Sequence, residues 1–202
     1  MKKLITGGAL ASALLVSSAS ADSKWYAGIE VGSASNTTEL DKNGSKTDTD
    51  NNYKDFKFVI GKGTGNDWYT QLYLSSITYD KKPWFSDDDK ATEIGLEVMK
   101  QFKVHEKVYP FIKFGVGFTS MDTDPNQNFS ESSILAVSAT IGAGVDFKAT
   151  ENISILAGLD YNRKSWQDVE VRYNSGTWLS KTETWKTSDS ATRFYFGANY
   201  RF

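Results

Sequence analysis

Cysteine is absent from this chain of 202 residues, and histidine occurs once. The first absence excludes disulfides, a thiolate nucleophile, thiolate-bound zinc and a lipidated N-terminal cysteine. A lone His105 cannot assemble an imidazole-ligated metal centre. Proline is limited to 3 residues, and no Pro- or Ser-rich stretch divides the chain, which reads as one folded domain. Positive charge is not in excess: 23 Lys+Arg stand against 25 Asp+Glu, for a net charge of −2, and no basic tract speaks for nucleic acid as a partner. Long apolar runs are missing beyond the first segment, whereas a spanning helix needs roughly 20 apolar residues.

That first segment has the order of an export signal. Met1-Lys2-Lys3 is positive, Leu4 to Val16 is apolar, and Ala19-Ser20-Ala21 has the small-x-small form that signal peptidase reads. The expected division is a cleaved signal peptide over 1–21 and one barrel domain over 22–202. An exported chain with no further apolar helix can re-enter a membrane only as β-structure, because every backbone polar group must be paired there.

Aromatic residues make up 14% of the chain and Gly contributes 16 residues, yet the mean hydropathy is −0.46. A transmembrane barrel has this composition, since apolar outward faces and polar inward faces cancel in the average. The last ten residues show the pattern most clearly. Phe194, Phe196, Ala198, Tyr200 and Phe202 alternate with Arg193, Tyr195, Gly197, Asn199 and Arg201. The same period recurs near Lys24–Ser33, Phe56–Gly61, Trp68–Thr78, Glu93–Val98, Ile112–Phe118, Leu135–Asp146 and Ile153–Asn162. Short connections near Gly63–Asp67, Lys103–Lys107 and Lys148–Asn152 alternate with long ones over Ala34–Tyr53, Asp80–Lys90, Ser120–Ser133 and beyond Asn162. The fold expected is all-β: a closed antiparallel up-and-down transmembrane β-barrel of eight strands. A soluble eight-stranded barrel would turn its aliphatic residues inward and leave Glu30, Lys57 and Glu93 outside.

The terminal strand resembles that of outer-membrane barrel proteins, whose last strand ends in an aromatic residue. That resemblance makes Tyr200 and Phe202 an insertion signal and the barrel-insertion machinery a partner. Tyr109-Pro110-Phe111 through Phe118, and Ile141-Gly142-Ala143-Gly144 through Phe147, resemble the Tyr-Pro-aromatic and Gly-x-Gly strands of the OmpA-like small barrel family. The family implies residence in the outer membrane of a Gram-negative bacterium, among its lipid and lipopolysaccharide. It also contains members with a peptidoglycan-binding domain after the barrel, which this chain is expected to lack, so that anchoring role is not carried over.

Alternation sends Glu30, Lys57, Glu93, Glu97, Lys113, Asp146, Asp160, Arg193 and Arg201 into the lumen. An eight-stranded barrel has room for little but its own side chains, so the expectation is a packed, salt-bridged interior. The alternative is a narrow pore for ions or small solutes. A lipid-modifying enzyme is a weaker second alternative, because His105 falls in a short turn, at the end opposite to where such barrels place their chemistry. No catalytic residue, cofactor or metal site is expected. Asp41-Lys42-Asn43-Gly44 and Asp48-Thr49-Asp50 lack EF-hand spacing and read as solvated loop. Asp87-Asp88-Asp89 is either a plain acidic loop or a gatherer of divalent cations, and Trp84, Trp166 and Trp185 are expected at the membrane interface. Val169, Val171 and Tyr173 alternate before Asn174-Ser175-Gly176-Thr177, which predicts a hairpin beyond the membrane. Tyr173, Trp178 and Trp185 are its candidate contacts with an extracellular protein or surface ligand.

Overall fold

Period-2 side chains specify strands whose two faces meet different surroundings, and the strands close on one another. The computed structural model describes residues 24–65, 67–123, 132–174 and 180–202. The expected leader lies outside them.

The barrel consists of β1 (Trp25–Lys42), β3 (Tyr53–Gly65), β4 (Trp68–Tyr79), β5 (Lys90–Gln101), β6 (Val108–Asp122), β7 (Ser133–Lys148), β8 (Ile153–Trp166) and β10 (Ser180–Arg201). Consecutive barrel strands pair antiparallel, and β1 pairs with β10 from Tyr26↔Arg201 to Lys42↔Trp185, which closes the ring. The Phe202 amide donates to the Trp25 carbonyl at 2.9 Å, fastening the last residue to the start of β1. Closure leaves the barrel with no unpaired edge.

The faces are those that alternation predicts. Ile29, Phe58, Leu74, Ile94, Phe118 and Val137 form one lateral row on the outside, and every one of them is exposed. Their neighbours in sequence point inward and are buried. Gly158 shows why glycine is needed on that inner face: a Cβ there would lie 2.6 Å from the Tyr195 hydroxyl, whose ring crosses directly over it.

The first long connection differs from the loop expected. Residues 34–53 are not a solvated loop: β1 runs on to Lys42, turns at Asn43-Gly44, and returns as β2 (Ser45–Asp50), with Lys42 opposite Ser45. Asn43 (φ 55°) and Gly44 (φ 91°) both hold the positive φ that a two-residue hairpin demands, and the Asn-Gly dipeptide supplies it with least strain. The Gly44 amide donates to Asp41 Oδ1 at 2.7 Å. At the other end of the chain, β9 (Val169–Asn174) pairs with Ser180–Trp185 of β10, the hairpin read from the sequence. Above the rim, β2 thus takes the place of β3 beside β1, and β9 takes that of β8 beside β10. The result is a ribbon rising from the barrel with β2 and β9 as its two edges.

The segment after β4 folds back as a cap. Phe85 is 1% exposed and packs on Trp166 at 5.1 Å between ring centroids, in an apolar cluster with Tyr53, Ile77, Tyr79, Met121 and Ile134. Trp84 lies on Trp185 at 4.9 Å, and its Nε1 donates to Thr187 Oγ1 at 3.3 Å. The expectation of Trp84 and Trp166 as interface anchors is therefore corrected. Trp166 sits on the inward parity of β8 with Asp160 and Lys164, is 4% exposed, and donates to Asp189 Oδ2 at 2.8 Å. Trp185 shares the inward parity of Arg193 and faces the cap.

Candidate functional site: the lumen and its outer mouth

The interior is filled by three sets of ion pairs. Lys57 binds Glu97 at 2.9 Å and approaches Glu30 at 4.0 Å. Lys113, with no exposed surface, lies 3.0 Å from Asp160 and 3.5 Å from Glu97. Arg193 Nη1 reaches both Glu30 and Asp160 at 3.1 Å, and its other face clasps Asp55. Nearer the short turns, Arg201 binds Asp146 at 2.7 Å, and Gln101 donates to the same carboxylate at 2.8 Å. The nine charges assigned inward from the sequence are all buried. They form two groups: Glu30, Lys57, Glu97, Lys113, Asp160 and Arg193 in the middle, and Asp146 with Arg201 below. Glu93 stands apart from both, in a third set with Lys164.

Two charged members of these sets, Asp55 and Lys164, were missed in the sequence. Lys164 pairs with Glu93 at 2.7 Å, and Glu93 also accepts from Tyr73 at 2.6 Å and Thr119 at 2.7 Å. Both residues carry the right parity: Asp55 lies two before Lys57, and Lys164 lies four after Asp160. They escaped because each strand was ended where its outward residues stop being apolar, although the pairing continues past the membrane. Neutral partners were missed as well. Tyr26 donates to Gln71, and Gln71 in turn donates to Glu97. The Tyr195 ring lies between Lys113 (4.3 Å) and Arg193 (4.4 Å).

Desolvation of charges this deep costs several kcal/mol each and is offset only by close pairing. The middle group meets that condition by sharing partners: Glu97, Lys113, Asp160 and Arg193 each face two or more opposite charges, while Arg201 and Lys164 each face one among the described residues. The ion pairs leave a cavity of about 20 Å³ beneath the cap, lined by Asp55, Glu93, Asp160, Asn162, Lys164 and Arg193. That is room for about one water molecule. Charged side chains thus fill the middle of the lumen, and the Phe85–Trp166 contact lies in the apolar cluster that shares Tyr53 and Ile77 with the cavity lining.

The remaining candidates are placed as follows. His105 is exposed in the turn between β5 and β6, where its Nδ1 accepts from the Lys107 amide at 3.4 Å. Asp88 accepts from the amides of Asp89 (2.7 Å) and Lys90 (3.2 Å), a local turn. Among the described residues no cluster of three or more His, Cys, Asp or Glu is arranged to hold a metal ion. On the ribbon, Lys46 binds Glu39 at 2.9 Å, and that hydrogen bond raises its ammonium above the ordinary lysine value. Trp185 packs against Trp84 with the rings tilted at 55°, and it carries the Lys42 ammonium 3.7 Å from its ring centroid. The backbone of Tyr173 pairs with that of Lys181, while its side chain and the whole of Trp178 lie outside the described residues. Tyr200 and Phe202 are exposed on the outer wall and stack at 6.5 Å.

An apolar exterior, an ion-paired interior and a closed ring of eight strands define a single-chain transmembrane β-barrel. The family model of the outer membrane protein beta-barrel domain matches residues 6–202, and the chain belongs to that family. It is accordingly a protein of the Gram-negative outer membrane. Such barrels turn their short connections to the periplasm, which puts the cap and ribbon outside. Among solved structures it is similar to Neisserial surface protein A (16% identity, TM-score 0.54, covering 88% of this chain and 97% of that one). It is also similar to the outer membrane protein OprG from Pseudomonas aeruginosa (12% identity, TM-score 0.59, covering 89% and 95%). At such identities these likenesses concern the fold alone. No curated protein sequence matches the chain.

Proposed function

We propose that the protein is a non-catalytic surface-interaction protein, in which an obstructed barrel serves as a rigid anchor for the outer ribbon. The observation that carries this reading is the unbroken β1–β10 pair, which runs from the periplasmic end to Lys42↔Trp185 outside the membrane. A ribbon continuous with the wall inherits its rigidity, so little ordering entropy opposes binding. Its two edges, β2 and β9, have no further strand beside them among the described residues and are suited to strand addition by an extracellular protein or to contact with a surface ligand. The Trp84–Trp185 contact ties this ribbon to the cap, making one preformed outer surface of the two.

The test compares cells displaying the intact protein with cells displaying a variant in which residues 37–50 are shortened to a minimal Asn-Gly hairpin. Adherence to immobilised extracellular-matrix proteins and glycans is measured, with surface display matched by antibody. Reduced adherence of the shortened form is expected; equal adherence of both would overturn the reading.

The pore alternative has one supporting observation, the polar cavity under the cap. The charged side chains that fill the middle of the lumen weigh against it.

A further inference from the structure

We propose that the cavity beneath the cap is a binding site for one monovalent cation of the size of sodium. The buried charges call for one. Among the described residues they comprise seven carboxylates and five cations, so the interior carries two negative charges in excess. An ionised group taken out of water without a counter-charge is strongly disfavoured. One excess charge belongs to the middle group, where Glu30, Asp55, Glu97 and Asp160 face Lys57, Lys113 and Arg193. The other is Asp189, higher up, which accepts from Thr38, Tyr79 and Trp166, all of them neutral.

The cavity is lined with the oxygen atoms that such an ion takes. Asp160 and Asn162 stand two apart on β8, so both face inward, and both line the space. Asp160 Oδ1 and Asn162 Oδ1 are buried and accept no hydrogen bond, in residues 2% and 7% exposed. The other polar atom of each side chain is engaged: Asp160 Oδ2 by Lys113 and Arg193, and Asn162 Nδ2 by Thr140 Oγ1 at 2.7 Å. On β7, Thr140 lies opposite Asn162 and Gly142 opposite Asp160. A Cβ on Gly142 would come 2.1 Å from Asp160 Oδ1, so only glycine leaves that oxygen its place. Thr140 and Ser75 add hydroxyl oxygens to the lining.

Lys57, Lys164 and Arg193 line the same space, but each is committed: Lys57 to Glu97, Lys164 to Glu93, and Arg193 to three carboxylates at once. The middle group therefore lacks a single positive charge. A divalent ion would exceed that demand, and among the described residues no cluster of three acids is arranged to hold one. One water molecule would fill the cavity and could donate to both free oxygens, yet it would leave the charge uncompensated. Sodium meets both demands. This site is independent of the ribbon and of what the ribbon binds.

The experiment follows urea unfolding of the mature barrel, refolded in zwitterionic micelles, while sodium chloride replaces choline chloride at constant ionic strength. The folding equilibrium constant is expected to rise with sodium, by about tenfold per tenfold in concentration once the site is mostly filled. Caesium, too large for the cavity, is expected to act as choline does. Asn162→Ala removes a ligand and should lose the sodium response. Glu30→Gln leaves the cavity lining intact but cancels the excess charge of the middle group, and it should lose the response as well. Glu151→Gln, in an exposed turn, should keep it. Equal stability in sodium and choline overturns the site, since water alone then fills the cavity. A sodium response that survives in either Asn162→Ala or Glu30→Gln overturns it, as does one that caesium reproduces, because the ion then acts elsewhere. Stability that rises on acidification in choline and never with sodium overturns it too, a proton being then the counter-charge. Heat-dependent gel mobility of each variant establishes that the barrel is folded.

Discussion

The Arg193 guanidinium holds the Asp55 carboxylate by two parallel hydrogen bonds, Nε to Oδ1 and Nη2 to Oδ2, both 2.8 Å long. Its remaining nitrogen, Nη1, is shared between Glu30 and Asp160. One side chain from the last strand thus joins β1, β3 and β8 across the lumen. Removing it would leave three carboxylates short of a cation. Arg193→Leu is expected to lower unfolding free energy in micelles by about 3–5 kcal/mol, the usual loss when one partner of a buried pair is deleted. Arg193→Lys should recover only part of that, since an ammonium cannot clasp Asp55 with two parallel bonds. Urea titration of refolded variants, followed by tryptophan fluorescence, measures both.

Conduction separates the obstructed barrel from a pore. The refolded protein in planar bilayers is expected to show no steady openings. Phe85→Gly, which opens the apolar cluster of the cap, should leave it closed because charged side chains fill the middle of the lumen. Regular openings in the unaltered protein that shift in size with Glu93→Gln or Lys113→Gln would defeat the obstructed-lumen reading.

Glycines on the inner wall differ in how much space they guard. Gly158→Ala would place a Cβ 2.6 Å from the Tyr195 hydroxyl, on a ring already held between Lys113 and Arg193. A loss of about 1–3 kcal/mol is expected from such overpacking. Gly63→Ala meets nothing nearer than 3.4 Å and should fall within about 0.5 kcal/mol of the parent. The same urea titration compares them.

The outer hairpin depends on its turn. At Gly44, with φ at 91°, any L side chain is strained. Gly44→Val should destabilise the turn by about 1–3 kcal/mol and raise amide exchange over residues 37–50, while exchange in the barrel strands stays unchanged. Uniform exchange across ribbon and barrel would show that the ribbon has no separate stability.

For Phe202, delivery and stability are expected to part. Its ring is 61% exposed and touches Tyr200, while its backbone closes the ring through Trp25. Phe202→Ala keeps that backbone bond, so refolding into micelles should proceed as in the parent, whereas the amount assembled in cell outer membranes should fall. Equal assembly would argue against Tyr200 and Phe202 as the signal read by the insertion machinery.

Much of this architecture is legible in the sequence because a strand's side chains alternate by covalent geometry, whatever lies beside it. Once Phe194, Phe196 and Tyr200 are outward, Arg193 and Arg201 must be inward. The same rule placed Glu30, Glu93 and Lys113, and alternating connection lengths separated the two ends of the barrel. The rule loses its contrast where outward residues become polar. Asp55, Lys164 and the extension of β1 to Lys42 were therefore missed, although Asn43-Gly44 marks the hairpin. Which charge meets which was not legible either. Arg193 and Asp55 are far apart in sequence and sit on strands separated by β1, so only the closure and stagger of the ring bring them together. The cap is the extreme case, since Trp84 and Phe85 lie in a connection with no period to read. Sequence alone determined the inner and outer faces of the wall, because that choice is local. Tertiary structure decided the pairings inside it and the cap above it, because both depend on contacts between strands that the chain reaches only by closing.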